Sequence, residues 1–204
     1  MKKATLLITI LSVLTTGTVS AKSGERATNT FEGMRIGAGI SETGVEAKFK
    51  FDDPAIEGFA ADFDYGDGYK FELGYDFNEV VGVGASYETN TGTITNNFFG
   101  TGNVDASTIK LSIDLGYAFY FDSFYVKPYA KLGYKFYLDD TSDWVTEEYN
   151  SDDFFYGAGL RLQYQAIYID ATIDYFSTDF SNDDETIHVV YDYTQVGVTI
   201  GYKF

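Results

Sequence analysis

The last ten residues, Gln195 to Phe204, keep a two-residue rhythm without a break. Val196, Val198, Ile200, Tyr202 and Phe204 are apolar, while Gln195, Gly197, Thr199, Gly201 and Lys203 are polar or tiny. Side chains on a β-strand point alternately to opposite faces, so this segment has one apolar and one polar face. Nine earlier segments repeat the pattern, with apolar sets within 34–40, 45–51, 59–65, 69–75, 81–87, 109–119, 124–136, 156–162 and 167–175. None of these sets contains a charge. Arg35, Lys48, Lys50, Lys70, Lys110, Lys127, Lys131, Lys135, Arg161 and Lys203 all fall on the polar face. Asp62, Asp64, Glu72, Asp114, Asp170 and Asp174 share it with a few further acids, so that face is close to neutral although the chain carries −17.

The connections say which solvent meets which face. A soluble sandwich would have turns of similar length at both ends. Here 78–80, 122–123 and 165–166 are tight, whereas 89–105, 139–153 and 178–192 are long. Aromatic residues gather at segment ends, as at Tyr65, Tyr69, Tyr87, Tyr117, Phe154 and Tyr202. Short periplasmic turns, long outer loops and aromatic girdles mark a bacterial outer-membrane barrel. The expected fold is all-β, a transmembrane antiparallel up-and-down β-barrel with its apolar face in lipid and its charges in the lumen.

The N-terminus agrees. Lys2 and Lys3 precede the apolar run Ala4 to Leu14, and Val19-Ser20-Ala21 supplies small residues for cleavage. This reads as a secretory signal peptide, too short to span a bilayer. The expected organisation is a signal peptide at 1–21, a periplasmic tail at 22–32 and a barrel domain at 33–204. That places the protein in the outer membrane with both termini periplasmic. There is no cysteine, hence no thiol or disulfide chemistry. The acidic balance disfavours nucleic acid as a partner, since phosphates would be repelled.

Two ends on one side require an even number of strands. Thr43-Gly44 and Gly66-Asp67-Gly68 read as hairpin turns, with Asp52-Asp53-Pro54 turning between them. That favours ten strands, with Lys48 and Lys50 complementing Asp62 and Asp64 in the lumen. The alternative is eight, with 45–65 projecting as a hairpin above the membrane. Pro128 removes a ladder donor in mid-strand, and a bulge is expected there.

Three stretches resemble the small outer-membrane barrels of the Ail/OmpX/Lom group, an OmpA-type, porin-family β-barrel class. Gly44 to Phe51 with the following acidic, Pro-containing turn resembles that group's second strand and first periplasmic turn. Phe155-Tyr156-Gly157-Ala158-Gly159-Leu160 is similar to its Tyr-Gly-Ala-Gly-Leu strand, and Val196 to Phe204 to its closing strand. The group has eight strands, so ten would add a hairpin near 66–88. The resemblance implies surface roles: adhesion, colonisation or envelope integrity. Tyr202 and Phe204 then form the insertion signal read by the barrel-assembly machinery.

The candidate sites follow. The lumen charges are expected to form a plug of ion pairs, with inward glycines leaving room for long side chains. The alternative is a narrow ion channel lined by Lys127, Lys131 and Lys135. The acidic outer loops offer Trp144, Tyr149, Phe98 and Phe99 as recognition residues, since exposed aromatics anchor interfaces. Asp179, Asp183 and Glu185 are weak candidates for a divalent cation, because the glycine of a calcium loop is missing. Such cations would bridge to lipopolysaccharide phosphates. His188 lies among acids with no nucleophile nearby, so a barrel protease or lipid A deacylase is a remote reading. The expectation is a monomeric, non-enzymatic surface protein without a cofactor. Its partners would be outer-membrane lipid, lipopolysaccharide and a host surface protein.

Overall fold

The computed structural model describes residues 31–51, 58–96, 100–140, 153–181 and 187–204. The expected signal peptide, most of the tail and the Asp52-Asp53-Pro54 turn lie outside them. The described elements are strands: β1 (Gly33–Phe51), β2 (Phe59–Asp76), β3 (Val81–Asn96), β4 (Gly100–Gly116), β5 (Phe119–Phe121), β6 (Phe124–Asp140), β7 (Asp153–Tyr164), β8 (Ile167–Ser181) and β9 (Ile187–Lys203). Each long strand pairs antiparallel with its neighbours, β1 with β9 and β4 with β6, which closes an eight-stranded up-and-down barrel. The three-residue β5 pairs only with the start of β6.

The strand count is therefore eight, not the favoured ten. β1 runs straight through Thr43-Gly44, and β2 runs through Gly66-Asp67-Gly68. Where turns were expected, the β1–β2 register slips by one residue between Thr43 and Gly44, a β-bulge that places Tyr65 as the extra residue. Gly66 adopts φ +100° there, a conformation only glycine takes without strain. The upper parts of β1 and β2 form the projecting hairpin of the eight-strand alternative, and no extra hairpin exists at 66–88. The bulge expected at Pro128 is also absent. Lys127, Pro128 and Tyr129 keep continuous register with Arg161, Leu160 and Gly159. The Pro128 carbonyl accepts the Tyr117 N–H at 3.2 Å, just past the end of β4, so its missing donor falls where that ladder stops.

The connections 77–80, 117–123 and 165–166 share one end of the barrel with Phe31 and Phe204. Asn78 holds the first by accepting the Val80 and Val81 N–H groups at 2.8 Å each. Asp122 and Gln165 take positive φ in the other two. At the opposite end the strands reach further than expected, so much of 89–105 and 178–192 is strand rather than loop.

Side-chain placement inverts that of a soluble protein. Arg161 is wholly buried while Ile200 is 60% exposed. On β8, Ile167, Ile169, Ala171, Ile173 and Tyr175 point outward, and Asp170, Thr172 and Asp174 inward. That outward run covers about 27 Å of strand. A tilt of ~40° makes it about 21 Å tall, close to the lipid-facing band of an outer-membrane barrel. Toward the long-connection end the polarity reverses. Phe176, Tyr193, Val45 and Ala47 point inward, while Ser177, Asp192, Glu46 and Lys48 point outward. The outside has there exchanged hydrocarbon for water.

Candidate functional site

The lumen holds three connected ionic tiers. In the middle tier, Arg35 reaches Glu72 at 2.9 Å, Asp76 at 3.2 Å and Asp114 at 3.2 Å. Arg161 crosses it, donating to Asp170 from Nε at 2.8 Å and Nη2 at 2.6 Å, and meeting Asp76 at 3.3 Å. Tyr129 donates to the other Asp170 oxygen at 2.8 Å. Toward the short-turn end, Lys203 meets Asp76 at 2.8 Å and Lys127 lies 3.7 Å from it. Toward the long-connection end, Lys110 bridges Asp174 at 2.9 Å and Glu88 at 3.1 Å, with Lys70 near Glu72 and Glu88, and Lys131 near Asp174. Lys110 also donates to Gln195, which donates to Thr43.

An apolar cap closes each end of this network. At one end Phe176 stacks on Tyr193 at 4.6 Å and packs with Val45 and Phe155. Lys135 lies 3.7 Å from the Phe176 ring and Lys110 5.2 Å from that of Phe155. At the other end Phe31 packs on Tyr125 at 4.8 Å beside Ala118. The Lys203 and Lys127 ammonium groups sit 3.9 and 4.8 Å from the Phe31 ring, and the Phe31 carbonyl accepts from Lys203. Phe31, expected in the tail, thus belongs to the barrel. Cations over ring faces gain from the ring quadrupole, more so where water is excluded. Among the described residues eight buried cations face six buried acids, so ring faces complement the small excess. The interior cavity between Arg35, Lys110, Ser112, Tyr129 and Phe155 measures about 10 Å³, room for little more than one water.

Of the lumen residues expected from sequence, Arg35, Lys70, Glu72, Lys110, Asp114, Lys127, Lys131, Lys135, Arg161, Asp170 and Asp174 meet inside the barrel. Lys48 and Lys50 do not. Lys48 sits on the outside, bonded to Asp192 at 2.6 Å and Glu46 at 3.0 Å. Its backbone faces Ala60 and Val190, whereas Asp62 and Asp64 face Glu46 and Gly44. The reason is that β1 continues without a turn, so Lys48 keeps the outward parity of Ile36 and Ile40. The Asp62 and Asp64 side chains lie outside the described residues, as do Phe98, Phe99, Trp144, Tyr149, Asp183 and Glu185 and the side chain of Asp179. His188 is in β9 rather than a loop, its backbone opposite Lys50 and Ser181. Asp76, Glu88 and Lys203, which share the polar face in sequence, join the lumen residues. The expected network leaves out Tyr125, Tyr129 and Tyr168, although parity with Lys127 or Asp170 marks each tyrosine as inward. No group of three or more His, Cys, Asp or Glu that could hold a metal occurs among the described residues.

Comparison with known proteins agrees with this architecture. Residues 9–204 match the model of the outer membrane protein beta-barrel domain. Among curated proteins, none matches the sequence. The outer membrane protein OprG of Pseudomonas aeruginosa is similar in structure, with a TM-score of 0.53 at 12% identity over 85% of this chain and 96% of that one. Ail of Yersinia pestis, solved with the heparin analogue sucrose octasulfate, matches at TM-score 0.38 and 17% identity, over 85% and 99% of the two chains. The protease OmpT of Escherichia coli matches at 0.47 and 8%, over 91% and 100%.

Proposed function

Because the chain belongs to the outer membrane protein beta-barrel domain family, we propose that it is a non-enzymatic surface protein of the bacterial outer membrane, its barrel a closed scaffold presenting the long-connection end to the exterior. The carrying observation is the ionic lumen sealed between the Phe176–Tyr193 and Phe31–Tyr125 caps. A barrel so filled conducts nothing useful and leaves the exposed hairpins and connections as the working surface. In this reading residues 1–21 are removed on export and both ends of the chain face the periplasm. Tyr202, outward on the last strand, and Phe204, exposed just after it, are presented to the assembly machinery. With a chain charge of −17, sulfated polyanions fit this surface poorly, and a host protein with basic or apolar contacts fits better.

Cells expressing the protein should bind host epithelium or matrix, and deletion of residues 141–152, which carry Trp144 and Tyr149, should abolish the gain. Binding unchanged by the deletion would count against this working surface. For the enzyme reading, His188→Ala should leave any proteolysis or deacylation by the expressing cell unaltered.

A further inference from the structure

The residues just ahead of β1 hold the seam where the first and last strands meet. The β1–β9 ladder begins with Arg35 opposite Lys203. Just past it the Phe204 N–H donates to the Met34 carbonyl at 2.9 Å. Gly33 lets the chain pass this point, because a Cβ on it would collide with the Phe204 carbonyl oxygen. The two residues before it go to different sides. Glu32 stays on the exposed side and accepts the Tyr75 hydroxyl of β2 at 2.7 Å. Phe31 turns inward and is buried. Its carbonyl accepts from Lys203 of β9, and its ring meets Tyr125 and Lys127 of β6. In the ring of eight long strands, β6 stands directly across from β1.

This set of partners exists only once the sheet has closed. Phe31 and Lys203 are 172 residues apart in the chain, and contacts between such distant segments form only after the entropy of closing the loop has been overcome. Three short residues thus join both neighbours of β1 and the far wall. We propose that residues 31–33 are a strap that engages last, after β1 has met β9, and locks the closed barrel from its short-turn end. The inference rests on strand topology and not on any adhesive role. Such a lock acts on opening rather than on closing, since a contact absent from the folding transition state leaves the folding rate alone and slows unfolding.

Amide hydrogen exchange of the folded barrel in micelles tests the strap, because two adjacent N–H groups have partners on different sides. The Phe204 N–H bonds across the seam to Met34, whereas the Lys203 N–H bonds away from it to Ala166. Phe31→Ala should speed exchange at Phe204 by about tenfold or more and leave Lys203 within about twofold. Lys203→Met keeps the stem and removes the ammonium. It should also speed Phe204 exchange and add little to Phe31→Ala, since both cut the same tie. Refolding of Phe31→Ala from urea into lipid vesicles should keep the unaltered rate while its unfolding quickens. Phe31→Leu, expected to shift exchange in the same direction by less, serves where the alanine variant fails to insert. Unchanged exchange at Phe204, or equal acceleration at both amides, would overturn the strap, the latter because it means general loosening. Folding slowed in proportion to the lost stability would overturn it too, because Phe31 would then dock before the seam closes.

Discussion

Single residues differ sharply in what they hold. Four cations, Arg35, Arg161, Lys203 and Lys127, lie within 4 Å of the Asp76 carboxylate, which is completely buried. Asp76→Asn leaves four buried cations competing for the remaining acids. Loss of one partner from a buried network costs about 3–5 kcal/mol. Urea titration of the barrel in lipid vesicles should show a loss of that size, while Asp105→Asn on the exposed surface should change little. A loss below about 0.5 kcal/mol would mean that water reaches this tier. The Lys48–Asp192 pair behaves differently, being outside the membrane and open to solvent. Hydrogen bonds from Lys48 and then Ser177 hold the Asp192 carboxyl below the ordinary aspartate value. The pairing is therefore present above the usual carboxylate range and is lost as pH falls through the lowered value. The hydrogen bond to Asp192 likewise raises the Lys48 ammonium, so that side of the pair fails only above the usual lysine range. Carboxyl NMR should show Asp192 titrating low, and Lys48→Met should return it upward. A midpoint indifferent to Lys48 would sink the assignment.

At the scale of the strand, the missed count has a physical source. In β1 the apolar residues switch from even positions (Ile36, Ile40) to odd ones (Val45, Ala47) across Thr43-Gly44. A parity switch beside turn-forming residues reads as a new strand. The chain instead runs straight, and what changes is the medium outside it. β9 switches between Val196 and Tyr193, and β8 between Tyr175 and Phe176, for the same reason. In β2 the bulge near Gly66 adds one residue, which cancels the switch and leaves odd positions apolar on both sides of Asp67, at Phe59 to Tyr65 and at Tyr69 to Tyr75. Periodicity thus made both faces of the membrane section legible, although the expectation took the charges from the inward face and passed over its tyrosines. It could not separate a turn from a passage out of the bilayer, because both reverse the pattern. Deletion of 45–64, which shortens only the projecting hairpin, should leave a barrel that still migrates as a compact species before heating on electrophoresis. Ten transmembrane strands would predict its collapse. Some loss of stability is expected, since Val45 leaves the upper cap.

Considered as a whole, the barrel unit of residues 31–204 is a cylinder with two reversals of polarity. Outside, an apolar belt lies between wet ends. Inside, a charged centre lies between two apolar caps. The pattern in sequence was sufficient for the belt and for the charged centre, because both follow from alternation. The caps do not read as caps in the sequence, because Phe155 and Phe176 share inward parity with Arg161 and Asp174 where an apolar residue breaks the polar pattern, and Phe31 precedes the first strand. An ion crossing the lumen must pass both caps and break the ionic tiers between them, the arginine tier in the middle included. Each arginine–carboxylate contact that opens exposes charge to a low-dielectric wall, which costs several kcal/mol per ion. Planar-bilayer recording should therefore find no resolved unitary openings in the intact protein. Neutralising Lys127 and Lys131 alone should not create them, because Phe176, Tyr193 and Phe155 still block the upper end. Removing cap and charges together, with Phe176→Ala and Tyr193→Ala added, should give the first openings. Well-resolved openings in the unaltered protein, lost on neutralising Lys127 and Lys131, would instead make the lumen a working pore and the ionic network its lining.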